Sequence, residues 1–137
     1  MLPDIVLTRP DRDRLANIVQ ALGLRSQSAR ADFLDQEISR ARIVEPAEMP
    51  RNVATMNSHV VYRDEDTGEE RLVTLVYPIE EDSLTGRLSI LSPLGTALLG
   101  LSEGQAITWT APDGRQHRVS LVSVLFQPEP EAPRSGL

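Results

Sequence analysis

A chain of 137 residues with 40% hydrophobic content has room for one compact unit plus a small appendage, and with no Cys it excludes a disulfide framework, a thiolate metal site and a cysteine nucleophile. The net charge of −6 is uneven, because residues 1–44 carry seven Arg against six acids while residues 45–137 carry seven Arg against 14 acids. An acidic second half argues against a surface that tracks phosphates, since such binding relies on cationic side chains displacing counterions, and favours a protein partner with a basic face.

The opening stretch MLPDIVLTRP lacks the apolar region of a signal peptide. No apolar run approaches the ~18 residues of a membrane helix, so the chain is expected in the cytoplasm with no membrane partner. Thr8-Arg9-Pro10-Asp11 fits a capping box with Pro in the first turn. Leu15, Ile18, Val19 and Leu22 then recur at helical spacing, which predicts an amphipathic helix over 8–22 ended by Gly23. Ser28 can cap a second helix, whose Ala29, Phe33, Leu34, Ile38 and Ala41 make a matching stripe. The short connection makes the two antiparallel. Residues 1–44 therefore read as a helical hairpin, a short coiled coil whose arms reach roughly 20 Å. Arms this short are marginal in water and must zip onto each other or onto the rest of the chain.

Residues 45–50 open the stretch EPAEMPRNVATMN, which has two prolines and no period and reads as a linker. Strand patterning follows. HVVYR and RLVTLVYP flank the turn DEDTGEE, RLSIL follows EDSLTG, and QAITWT joins RQHRVSLVSVLF through the hairpin turn APDG. Residues 51–126 are thus predicted as an antiparallel sheet carrying one short helix from Pro93 to Leu99, and the whole as an α+β fold. Ser92 suits the cap of that helix, Pro93 its first turn, Ala97, Leu98 and Leu99 its packing face, and Gly100 its stop. Two roles fit it: a structural crossover, or a rigid Ser-Pro corner whose unpaired N-terminal N–H groups another protein grips at the sheet edge. The Pro-rich tail 127–137, QPEPEAPRSGL, is expected to be disordered.

Little in the sequence points to catalysis. His59 and His117 each sit in a predicted strand with no second ligand at metal spacing, as partly exposed strand histidines do. No GxSxG turn supports a hydrolase. Gly95, Gly100 and Gly104 form no phosphate loop. The acids of DEDTGEE and EED border turns and keep them solvated. Asp32 and Asp35, three apart, share one helix face; that face is either simply solvated or able to hold a divalent ion jointly with a partner's ligands. Two carboxylates alone bind Mg²⁺ weakly. No catalytic residue, resident metal or cofactor is expected.

The segments EMPRNVATMNSHVVYRDEDTGEE, TLVYP, LSILSPLGTALLGLSEGQAITW and VLFQPE, taken in order, resemble the C-terminal domain of the bacterial transcript-cleavage factors GreA and GreB, and the whole chain resembles the smaller Rnk-type regulators. The resemblance implies an FKBP-like domain over 51–126 that docks on RNA polymerase near the rim of its secondary channel while the helical hairpin points into that channel. It carries the polymerase-binding role onto Ser92 and Pro93, with Leu91, Leu94 and Gly95 beside them. It also implies what is missing. Gre factors have a much longer hairpin with an acidic pair at its tip, whereas the tip expected here, Gly23 to Ser28, holds no acid and one Arg. Asp32 and Asp35 lie beyond it in the second arm.

The resemblance therefore implies a monomeric, non-enzymatic Rnk-type regulator that competes with other channel-entering factors without stimulating transcript cleavage. The alternative within the family is residual cleavage stimulation through Asp32 and Asp35. The FKBP-like fold raises prolyl isomerase as a rival, which needs a deep aromatic-lined pocket. The chain offers only Phe33, Tyr62, Tyr77, Trp109 and Phe126, with Phe33 expected outside the sheet domain. Direct DNA binding, associated with this family, is disfavoured by the acidic domain, and nothing in the chain forms a kinase site.

Overall fold

The chain is described by a computed structural model over residues 3–25, 29–111 and 113–128. Before the helices lies a strand that local patterning did not predict: β1 (Val6–Thr8) pairs in parallel with β2 (Arg42–Val44), Leu7 opposite Ile43. Between them run α1 (Arg9–Arg25) and α2 (Ala29–Arg40). Thr8 caps α1 as its motif predicts, with Oγ1 accepting the Asp11 N–H at 3.3 Å. The helix continues past Gly23, where a stop was expected; one glycine in a helix costs only about 1 kcal/mol relative to alanine. The expected tip and the Ser28 cap include residues 26–28, which lie outside the described residues, as does the tail beyond Pro128.

The main sheet has the order β5-β4-β3-β7-β6, with β3 (His59–Asp64), β4 (Glu70–Val76), β5 (Arg87–Ser89), β6 (Ala106–Thr110) and β7 (Gln116–Phe126). β3 runs antiparallel to β4 and β7, and β6 to β7. β5 does not follow this rule. It pairs with β4 in parallel, so the sheet is mixed and the expectation of a purely antiparallel one is corrected. Residues 77–86 return along the sheet edge through two 3₁₀ turns, Pro78–Glu80 and Ser83–Thr85, instead of reversing tightly, and parallel neighbours require such a crossover.

Two apolar clusters hold the layers. One joins Ile5 to Val60, Leu75, Leu98, Leu101, Ile107, Val119 and Leu121 of the sheet side. Phe33, expected outside the sheet domain, packs against this cluster from α2. The second joins Leu7, Leu15, Leu34 and Ile38 to Met56, Ile90 and Leu99. Burying each such side chain contributes about 1.5–3 kcal/mol, so the short helices gain from the sheet the stability that isolated helices lack. β1 is tied in as well, because Val6 N–H donates to the Gly100 carbonyl at 3.1 Å. Gly100 has φ of +80°, and a Cβ there would lie 2.8 Å from the Ile5 Cβ, so both its backbone and its neighbour call for glycine. Among the described residues no helix is long and apolar enough to cross a membrane.

Candidate functional site

The Ser-Pro corner forms where β5 ends and α3 (Pro93–Leu98) begins. Ser92 is its centre. Its backbone N–H donates to the Ser89 carbonyl at 3.0 Å, its hydroxyl donates to the same carbonyl at 2.7 Å, and its Oγ accepts the Gly95 N–H at 3.0 Å. Its carbonyl accepts the Thr96 N–H at 2.9 Å. Thr96 Oγ1 then donates to the Ile90 carbonyl at 2.7 Å, and Ser89 Oγ accepts the Leu91 N–H at 3.1 Å. The first turn of α3 is folded back against Ser89 so tightly that a Cβ on Gly95 would stand 2.1 Å from the Ser89 carbonyl oxygen.

This changes what the corner can offer. Unpaired helix N-terminal donors were one basis for a grip, but Ser92 satisfies those of Gly95 and Thr96, and Pro93 has none to give. What remains for a partner is shape: Leu91, Ser92, Pro93 and Leu94 are each half-buried, while Gly95 is buried beneath them. The bonds of Ser89, Ser92 and Thr96 hold the corner in shape.

Asp32 and Asp35 are both exposed on α2, on the same side of the helix, as their spacing predicts. Glu37 differs. Its side chain is only 2% exposed and pairs with Arg40, whose guanidinium also donates to the Pro3 carbonyl. Among the described residues no three His, Cys, Asp or Glu side chains converge in a way that would hold a metal. His59 is exposed beside the Phe126 ring, and His117 stacks on Trp109 at 5.0 Å with Asp66 3.8 Å away.

Sequence reasoning did not find a polar clamp between α1 and the sheet. The Asp11 carboxylate accepts from the Met56 backbone N–H and, at 3.4 Å, from the Tyr77 hydroxyl, to which Arg14 also bonds. Burial pushes the Asp11 carboxyl above the usual carboxylate range, although its hydrogen bonds and Arg14 pull the other way. Burial, then the Asp11 charge, pushes the Tyr77 phenol up to about 12. The clamp borders a cleft of about 130 Å³ lined by residues that include Thr8, Arg14, Met49, Met56, Asn57 and Gln127. Asn57 has a left-handed backbone, φ 65°, and the sequence TMNS carried a hint of it because Asn tolerates that conformation well.

The family profile "Transcription elongation factor, GreA/GreB, C-term" matches residues 49–126, and "Rnk N-terminus" matches residues 3–44. The chain is 36% identical over 127 residues to the Regulator of nucleoside diphosphate kinase of Escherichia coli, covering 93% of each chain. It is 40% identical over 85 residues to Transcription elongation factor GreA of Syntrophobacter fumaroxidans, covering 62% of this chain and 54% of that one. Among solved structures, the prokaryotic transcription elongation factor GreA/GreB from Nitrosomonas europaea superimposes with a TM-score of 0.71 at 40% identity, covering 90% of this chain and 99% of that one.

Proposed function

The chain belongs to the GreA/GreB transcription elongation factor family, in its Rnk branch, and from that premise we propose that it is a non-enzymatic regulator that binds RNA polymerase at the rim of the secondary channel. In this reading residues 51–126 are an FKBP-like docking domain, residues 45–50 a linker and residues 1–44 a coiled-coil hairpin that enters the channel. Leu91, Ser92, Pro93, Leu94 and Gly95 form the dock.

The observation that carries the reading is the shortness of the helices beside an intact corner. α1 and α2 have 17 and 12 residues, about 25 and 18 Å at 1.5 Å per residue. Their acids, Asp32 and Asp35, lie along the second arm. Such a hairpin occupies the channel and excludes rival factors without delivering carboxylates to the catalytic metal. The effect on nucleoside diphosphate kinase named for the Escherichia coli relative then follows from transcription. The rival isomerase reading is disfavoured because, among the described residues, no aromatic ring lines the cleft.

Fluorescence anisotropy against core RNA polymerase, with an unlabelled Gre factor as competitor, tests the docking. Saturable binding that the competitor removes is expected. Ser92 is a poor probe because its hydroxyl holds the corner together, so Pro93→Glu is the better variant: it places charge on the surface at a first-turn position that helices tolerate. Weakened binding with an unchanged melting curve supports the dock, and unchanged affinity removes it. In a backtracked elongation complex with Mg²⁺, no transcript cleavage above the intrinsic rate is expected. Stimulation would instead favour the Gre-like alternative and implicate Asp32 and Asp35.

A further inference from the structure

The residues that cross from β4 to β5 carry an unexplained display of apolar side chains. Ile79 is 95% exposed and Leu84 96% exposed, on separate turns of one crossover. Singly exposed aliphatic side chains are ordinary, but these two stand five positions apart with Glu80, Glu81 and Asp82 between them and no cation from Tyr77 to Gly86. Neither Glu80 nor Glu81 makes an ion pair among the described residues.

The display is built rather than slack. The Asp82 carboxylate accepts the Leu84 N–H at 3.0 Å, the Asp82 N–H donates to the Arg87 carbonyl at 3.1 Å, and the Arg87 N–H donates back to the Asp82 carbonyl at 2.9 Å. Thr85 Oγ1 donates to the Asp82 carbonyl at 3.3 Å. A closed set of bonds therefore fixes the backbone of the turn from which Leu84 projects, so that part of the ordering cost is met before any partner arrives.

This segment also adjoins the corner. The Ile90 N–H donates to the Val76 carbonyl at 2.9 Å, and Tyr77 and Leu91 pack on the same apolar cluster. The turns Pro78–Glu80 and Ser83–Thr85 both lie against β5, the strand that leads into the corner, and Leu84 lies at the far end of β5, about 10 Å along the edge strand.

We propose that Ile79, Leu84 and the acids between them are a second part of the polymerase dock, a strip along the β5 edge that seats an apolar surface of the polymerase bordered by Lys and Arg. This rests on the docking reading above and gives it a polarity: an apolar corner at one end, an acidic and apolar strip beside it. The complementary charge sets orientation and association rate, and the two aliphatic side chains supply contact area.

Three variants test the strip by anisotropy and stopped flow against core RNA polymerase. Ile79→Ser with Leu84→Ser is expected to weaken binding at least tenfold with an unchanged melting curve, since neither side chain is packed in the fold. Glu80→Gln with Glu81→Gln is expected to slow association several-fold and flatten its dependence on salt. Pro93→Glu is the separate control for the corner. If Pro93→Glu weakens binding and the strip variants do not, the strip is overturned while the dock stands. If wild-type protein does not bind polymerase at all, the dock and the strip both fall. A sedimentation series completes the set: a dimer that Ile79→Ser with Leu84→Ser dissolves would assign the strip to a second copy of this chain and overturn the proposal.

Discussion

Gly95→Ala asks whether the corner is closed as described, because two effects of known size oppose each other there. Alanine is favoured over glycine in a helix by about 1 kcal/mol, which on its own would stabilise α3. The new Cβ, however, would lie 2.1 Å from the Ser89 carbonyl oxygen and 2.9 Å from Ser92 Oγ. An ordinary carbon-oxygen contact is about 3.3–3.6 Å, so the first turn must move by more than about 1 Å. Overpacking of that kind costs about 1–3 kcal/mol, and lifting Gly95 N–H from Ser92 Oγ forfeits a cap of about 1 kcal/mol. The net expectation is a loss of about 1–3 kcal/mol, a fall in melting temperature of roughly 3–12 °C for a chain of this size. Gly104→Ala is the control: φ there is +90° with nothing within 4 Å of the added Cβ, so only the left-handed backbone strain of about 1–2 kcal/mol applies. Calorimetry of the two variants beside the wild type reads both. A Gly95→Ala protein that melts at or above the wild type would mean that helix propensity wins and the Ser89 carbonyl does not close on Gly95.

Ser92→Ala removes the donor to Ser89 and the acceptor for Gly95 together and is expected to cost about 1–2 kcal/mol in urea denaturation; no loss would mean the hydroxyl is not the cap. Tyr77 titrates higher in the fold than in the unfolded chain, pushed up to about 12, so the folded state holds the proton longer and stability must fall as pH rises from about 10 through about 12. Tyr77→Phe is expected to lack that part of the alkaline slope, and identical slopes would refute the clamp. Leu34 is fully buried in the cluster that joins the helices to the sheet, so Leu34→Ala is expected to cost about 2–5 kcal/mol; a change under 1 kcal/mol in urea would mean that the helices are not packed there.

What the sequence disclosed was what neighbouring residues decide among themselves. The Thr8 and Ser92 caps, the helical spacing of α1 and α2, and the placement of the sheet strands all depend on interactions within a few positions, and these appear as predicted. Pairings over long separations were hidden. β1 and β2 have three residues each, too few to show a period, and are defined only by meeting across the helices. The direction of β5 was hidden because its strand pattern is the same whether it runs parallel or antiparallel, and only the course of residues 77–86 decides it. The clamp joins residues 66 apart. Phe33 reads as a helix-stripe residue, and nothing in its spacing says which layer it covers. The corner residues were legible by resemblance, but the resemblance could not say that Ser92 would satisfy the donors of Gly95 and Thr96 from within.

The two apolar clusters bear on how dock and hairpin act together. Ile90 and Leu99, which flank the corner on either side of α3, belong to the cluster that includes Leu15 of α1 and Leu34 and Ile38 of α2. The Gly100 carbonyl, just beyond α3, receives β1, and the Asp11 clamp fixes the first turn of α1 to Met56 and Tyr77. The corner and the base of the helices therefore cannot move independently without exposing buried aliphatic side chains and unpairing buried polar groups, each a cost of about 1–3 kcal/mol. In the proposed binding mode a partner that seats the corner also sets the direction of the hairpin. Loosening the clamp with Asp11→Ala should then leave binding of the corner, and competition with a Gre factor for it, nearly intact while reducing exclusion of a channel-entering factor that does not use the dock, because that exclusion requires the hairpin to point into the channel. Equal losses in direct binding and in that exclusion would show instead that the clamp supports the dock alone and that the hairpin is aimed by other contacts.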